Sequence, residues 1–123
     1  MICLVVGGVV EKQKIAAKIT EIGGENVSVA VKSDIEAAMM VKAGQAEYYL
    51  GACATGGGGA LAMALAILTR QKCATVSMPG RLPQASEIKQ YLTEGKVAFG
   101  FTGDHVDLAV PLIMKAILEK EQK

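Results

Sequence analysis

Short apolar runs alternate along this chain with stretches of helical periodicity, and glycine or proline stands at most of the joins. Ile2-Cys-Leu-Val-Val6 is continuously apolar and is followed by Gly7-Gly8, which reads as a strand covered on both faces, as in a parallel sheet. From Glu11 the period becomes helical, with Ile15, Ile19 and Ile22 on one side, Lys12, Lys14, Lys18 and Glu21 on the other, and a stop at Gly23-Gly24. Val27 to Val31 is a β-branched second strand. Ser33 with Glu36 three residues on has the pattern of a helix N-terminus, and the helix it opens runs to about Lys42 with Ile35, Ala38, Met39 and Val41 as its expected apolar face and Gly44 closing it. Tyr48 onward is a third strand, Cys73 to Met78 a fourth and Val97 to Phe101 a fifth, with helices over Ala60 to Leu68, Ser86 to Glu94 and from Asp104 to the charged tail. In that last helix Val106, Val110, Ile113, Met114 and Ile117 form the core stripe.

Strict alternation with short connections specifies an α/β fold with right-handed crossovers. The expectation is one Rossmann-like, three-layer αβα domain over residues 1–123 with a five-stranded parallel sheet in the order 2-1-3-4-5. That order leaves a switch point between strands one and three, and ligands of open α/β sheets bind beyond the carboxyl ends of the strands beside such a point. Gly7-Gly8 and the segment Cys53 to Gly59 are expected to meet there.

The segment from Tyr48 to Leu68 reads as strand, glycine loop, helix. Thr55 is followed by the four glycines Gly56, Gly57, Gly58 and Gly59, and Ala60 to Leu68 contains only good helix formers. A helix that starts after a loop with so little side-chain bulk presents unpaired N–H groups and the positive end of its dipole, which favours phosphate, carboxylate or a developing oxyanion. Four glycines exceed what a tight packing turn needs, and each costs roughly 0.5–1 kcal/mol against alanine inside regular structure. The nucleotide signature G-x-x-x-x-G-K-[ST] is absent, and Ala60 and Leu61 break G-x-G-x-x-G, so neither a nucleoside triphosphate nor a dinucleotide is indicated.

Composition narrows the partners. The formal net charge is +1, charged residues make up 20% and aromatic ones 4%, so neither an electrostatic nucleic-acid surface nor a base-stacking platform is expected. Three cysteines, Cys3, Cys53 and Cys73, lack the spacing of a disulfide framework or a zinc site, and the reducing cytoplasm is the expected compartment. Met1 leads directly into the first strand without a basic leader, and the longest apolar stretch falls far short of the ~20 residues that span a bilayer. No cofactor, metal, nucleic acid or membrane partner is expected. A homo-oligomer through helix three is expected, because that helix is apolar all round for nine residues, although its alternating alanines also suit an outward face.

Ser33-Asp-Ile-Glu-Ala-Ala-Met39, Tyr48 to Gly59, Pro79-Gly80, Glu94 to Gly100 and His105 together resemble the YhfU-like family of uncharacterised bacterial proteins over most of the chain. Locally, Cys53-Ala-Thr-Gly-Gly-Gly58 resembles the C-G-T-G-x-G loop of type B ribose-5-phosphate isomerases. That resemblance implies that Cys53 moves a proton between adjacent carbons while Thr55, Gly56 and Gly58 stabilise an enediolate. A thiol at a helix N-terminus has a lowered pKa, and fixed backbone donors around an oxyanion supply a large electrostatic term. The chain departs from these isomerases in carrying Gly7-Gly8-Val9 in place of Asp-His and Glu94-Gly95-Lys96 in place of a second histidine.

The function expected is therefore binding of a small anionic metabolite, a phosphorylated sugar or carboxylate, with isomerase-type proton transfer as its boldest form. The alternative is a non-catalytic binding or regulatory subunit. Cys53, Thr55 and His105 are the candidate catalytic residues. Gly7, Gly8, Thr55, Gly56, Gly57, Gly58, Gly59, Arg81 and Thr102 are the candidate ligand contacts. Each candidate has a plainer reading: Cys53 as an inert buried thiol, His105 as a solvated or capping residue, and Arg81 as a solvated loop charge.

Overall fold

The computed structural model describes residues 1–54 and 58–121. Its elements run β1 (Ile2–Gly8), α1 (Lys12–Gly23), β2 (Val27–Val31), α2 (Asp34–Lys42), β3 (Tyr48–Cys53), α3 (Gly58–Leu68), β4 (Cys73–Thr75), α4 (Ala85–Thr93), β5 (Ala98–Thr102) and α5 (Val106–Glu121), with a 3-10 turn, Gly103–His105, leading into α5. All strand pairs of the five-stranded sheet are parallel.

The strand order is β2-β1-β3-β5-β4, and not 2-1-3-4-5 as the sequence suggests. Both faces of a central parallel strand must be covered, and β5 meets that condition: Ala98, Phe99 and Phe101 are fully buried. The fourth strand is shorter than its apolar run, with three residues in register against β5 before the chain turns at Met78-Pro-Gly-Arg81, and so it takes the edge. The crossover through α3 passes over the place that β5 later fills.

Right-handed crossovers then sort the helices. Helices α1, α4 and α5 cover one face, where Ile15, Ile19, Ile88, Leu92, Val110, Ile113 and Ile117 pack on Leu4, Val6, Leu50, Phe99 and Phe101. Helices α2 and α3 cover the other, where Ala37, Ala38, Leu61, Ala64 and Leu68 pack on Val5, Tyr49, Cys73 and Ala98.

The start of α2 follows from local chemistry. Ser33 Oγ accepts the Glu36 amide at 3.2 Å, as an N-cap should. Its partner Glu36 turns to the Ser33 hydroxyl at 3.1 Å and does not reach back to the cap amide. The inward face of α2 differs from expectation. Ala37 and Ala38 are buried while Ile35 and Met39 are about half exposed (53% and 51%), because small residues let α2 approach the sheet and α3 closely.

Candidate functional site

Gly7 and Gly8 belong to β1, and neighbours explain both. Gly7 pairs in register with Gly51 of β3, and the Tyr49 ring lies across this pair: a Cβ on Gly7 would stand 2.5 Å from Tyr49 Cε2. The Gly8 amide donates to the Tyr49 hydroxyl at 2.9 Å. Burial of the phenol pushes its pKa well above the usual tyrosine range, so Tyr49 stays protonated. Gly8 itself has φ +76°, and a Cβ there would meet Ala52 N at 2.7 Å. This turn folds the chain back over the end of β3, where the Val9 and Val10 amides both donate to Ala52 O at 2.9 and 3.2 Å. The next residue, Glu11, sits in the left-handed region at φ 58°, uncommon for a residue with a side chain and frequent at functional sites.

These turns wall one side of a cleft at the carboxyl ends of β1, β3 and β5. It has a volume of about 600 Å³ and is lined by Val10, Glu11, Lys14, Cys53, Ala54, Pro79, Gly103 and Asp104. Its chemistry is mixed, with one ammonium group and two carboxylates. Lys14 is 3.4 Å from Asp107, which also takes Lys18 at 3.0 Å. Bonds from Lys18 and then Lys14 lower the pKa of the Asp107 carboxyl.

Of the three cysteines, Cys53 is the one at this edge of the sheet, buried in the cleft wall. Burial raises the pKa of the Cys73 thiol, which lies at the start of β4 at the opposite end of its strand. Thr102 is the register partner of Cys53 on β5. Strand alternation from Tyr49 and Ala98 places Cys53 and Thr102 on the α2 and α3 side of the sheet. His105 is buried beside Thr102, with Nδ1 at hydrogen-bond distance from Thr102 Oγ1 and 2.9 Å from Ser77 Oγ.

The structure thus gathers Cys53, Thr102 and His105 at one edge of the sheet. Gly58 and Gly59 are the first residues of α3, while Thr55, Gly56 and Gly57 lie outside the described residues. Gly7 and Gly8 are accounted for by Tyr49 and Ala52. Arg81 pairs with Glu87 at 2.6 Å and does not line the cleft, although Pro79 two residues before it does. Ser77, Glu11 and Lys14 were not legible as site residues. Ser77 carried a faint signal, since it falls two residues beyond Thr75 on the alternation of β4 and so shares its side of the sheet. Among the described residues no three His, Cys, Asp or Glu side chains converge as a metal site would require. No helix there is long and apolar enough to cross a membrane.

Comparison with known proteins places this architecture in a family. The chain is 44% identical over 86 residues to "Uncharacterized protein YhfU" of Escherichia coli (strain K12), covering 70% of this chain and 74% of that protein, and the same figures hold for the protein of that name from Shigella flexneri. The likeness to ribose-5-phosphate isomerases rests on the loop alone, and these comparisons do not carry it. The model of the family described as "Protein of unknown function DUF2620" matches residues 2–117, and the chain belongs to that family.

Proposed function

We propose that the chain binds a small anionic metabolite, with a phosphorylated sugar as the best fit, in the cleft at the carboxyl ends of β1, β3 and β5. The observation that carries this reading is the position of the cleft at the carboxyl ends of the strands, with Cys53 and Ala54 in its wall and only Thr55, Gly56 and Gly57 of the glycine-rich sequence between them and α3, which begins at Gly58. An anionic group suits the start of α3 and the Lys14 ammonium, while Glu11 and Asp104 suit the hydroxyl groups of a sugar, which donate to carboxylates. Isomerase-type proton transfer would use Cys53, in the cleft wall, as the group that takes the proton from one carbon and returns it to the next. A non-catalytic binding or regulatory subunit is the second reading. It is favoured by the packing of Gly7 and Gly8, which leaves no acid or base side chain where the isomerases carry two.

Thermal unfolding against a panel of sugar phosphates and carboxylates tests binding. A ligand at 100 times its Kd stabilises by about 2.7 kcal/mol, and replacing Gly57 or Gly58 by leucine should abolish that gain while leaving a folded protein. No stabilisation by any member of the panel sinks the reading. Incubating a stabilising sugar phosphate in D2O separates the two forms: deuterium entering beside the carbonyl, and lost in Cys53→Ala, supports proton transfer, and its absence leaves the binding subunit.

We also propose that the chain forms a homo-oligomer through α3. Leu65 on its outer face is exposed between Ala62 and Ala66, and α2 beside it exposes Ile35 and Met39. Apolar groups shared by two adjacent helices suit a self-complementary contact. Sedimentation equilibrium at low micromolar concentration should give a multiple of the chain mass that falls to the monomer in Leu65→Lys. A monomer mass for the unaltered chain rules the contact out.

A further inference from the structure

His105 has a nearly sealed ring whose hydrogen bonds, among the described residues, are all made at Nδ1. Its partners are the hydroxyls of Thr102 and Ser77, which are themselves buried and 3.4 Å apart. The Thr102 amide donates to Ser77 Oγ at 3.2 Å. Such a closed group of polar atoms permits a count of protons, which decides what the ring can do.

With a lone pair on Nδ1, every hydrogen has an acceptor. The Thr102 amide takes Ser77 Oγ, the Thr102 hydroxyl takes Nδ1, and the Ser77 hydroxyl takes Nδ1 or Thr102 Oγ1. With a proton on Nδ1 there are four donors and two oxygen acceptors. The Ser77–Thr102 contact can hold one hydrogen, so one hydroxyl hydrogen is left without a partner in a buried place. A stranded buried donor shifts such an equilibrium by roughly tenfold or more. The other nitrogen, Nε2, has no hydrogen-bond partner among the described residues.

We propose that Ser77 and Thr102 are positioning residues that hold His105 as its Nε2–H tautomer, so that the ring offers an N–H donor, and no proton-accepting lone pair, to an oxyanion in the adjoining cleft. The cluster adjoins that cleft along the chain: Pro79 lies two residues after Ser77, and Gly103 and Asp104 lie between Thr102 and His105, all three lining it. The tautomer stands on the hydrogen bonds alone. The oxyanion half rests on the anion-binding reading above, and it turns His105 from a candidate base into a candidate ligand donor.

Long-range ¹H–¹⁵N correlation spectra of the ligand-free, ¹⁵N-labelled full chain, recorded across a mildly alkaline pH series, read the tautomer directly. Nδ1 should resonate as an unprotonated, pyridine-type nitrogen and Nε2 as a protonated, pyrrole-type one. The reverse pattern, or an even mixture, overturns the proposal. Thr102→Val or Ser77→Ala alone leaves one hydroxyl that a proton on Nδ1 would strand, so each single variant should keep the preference, whereas the double variant Thr102→Val/Ser77→Ala, which removes both hydroxyls, should lose it. A preference retained in the folded double variant overturns the positioning role, and if that variant fails to fold, a preference lost in either folded single variant overturns it instead. Inorganic phosphate is then the probe for the second half. Its addition should shift the Nε2–H proton downfield to saturation. Thermal stabilisation by phosphate with Nε2 unmoved overturns the donor role while the anion-binding reading stands, and the absence of both effects overturns both.

Discussion

A Gly8→Ala variant is expected to lose about 3 kcal/mol or more of stability, from two sources that add. A side chain at φ +76° costs roughly 1–2 kcal/mol in the left-handed region. The new Cβ would also stand 2.7 Å from Ala52 N and 2.9 Å from Ala52 O, backbone atoms of a central strand that cannot rotate away. Overpacking of that kind typically adds 1–3 kcal/mol. Gly44→Ala provides the control: its φ is +80° with nothing within 4 Å of the added carbon, so strain acts alone there. Urea unfolding of both variants isolates the close approach as the difference between them. Equal losses would show that β1 and β3 move apart freely at this end. The expected consequence for the cleft is as informative, because Val10 and Glu11 are held over β3 by the turn that begins at Gly8.

Phe99→Ala is expected to cost about 3–5 kcal/mol, the usual range for deleting a fully buried aromatic ring. A domain of ordinary stability has about 5–15 kcal/mol in total, so this single change removes a large share of it. Phe99 is the second residue of β5 and has no exposed surface, and its ring stacks on Tyr48 with centroids 6.4 Å apart and planes 28° from parallel. Guanidinium unfolding should show a lower midpoint with an unchanged slope. The result bears on topology as well as packing. Were β5 an edge strand, as the order 2-1-3-4-5 requires, Phe99 would lose a flanking strand and part of its cover. A loss near 1 kcal/mol would fit that arrangement and contradict the one described.

Neighbours along the chain determine what was legible in the sequence: the alternation of elements, the parallel α/β class, the Ser33 cap, the stripe from Val106 to Ile117 and a helix ending at Leu68. Each depends on residues within about one helical turn or one strand length of each other, where period and propensity act. The resemblance to the YhfU-like family was legible for the same reason, as runs of adjacent residues. Tertiary structure alone decided the rest. A local period does not say which strand lies beside which, so the exchange of β4 and β5 appears once Phe99 and Phe101 need cover on both sides. Gly7 and Gly8 read equally well as a ligand turn until Tyr49, 41 residues beyond Gly8, lays its ring across them. Ser77 reads as an ordinary polar residue at a strand end, and its meaning comes from a histidine 28 residues later. Such partners are joined by the fold and not by the chain, and a hydrogen bond or a steric contact acts over a few ångströms of space whatever the separation in sequence.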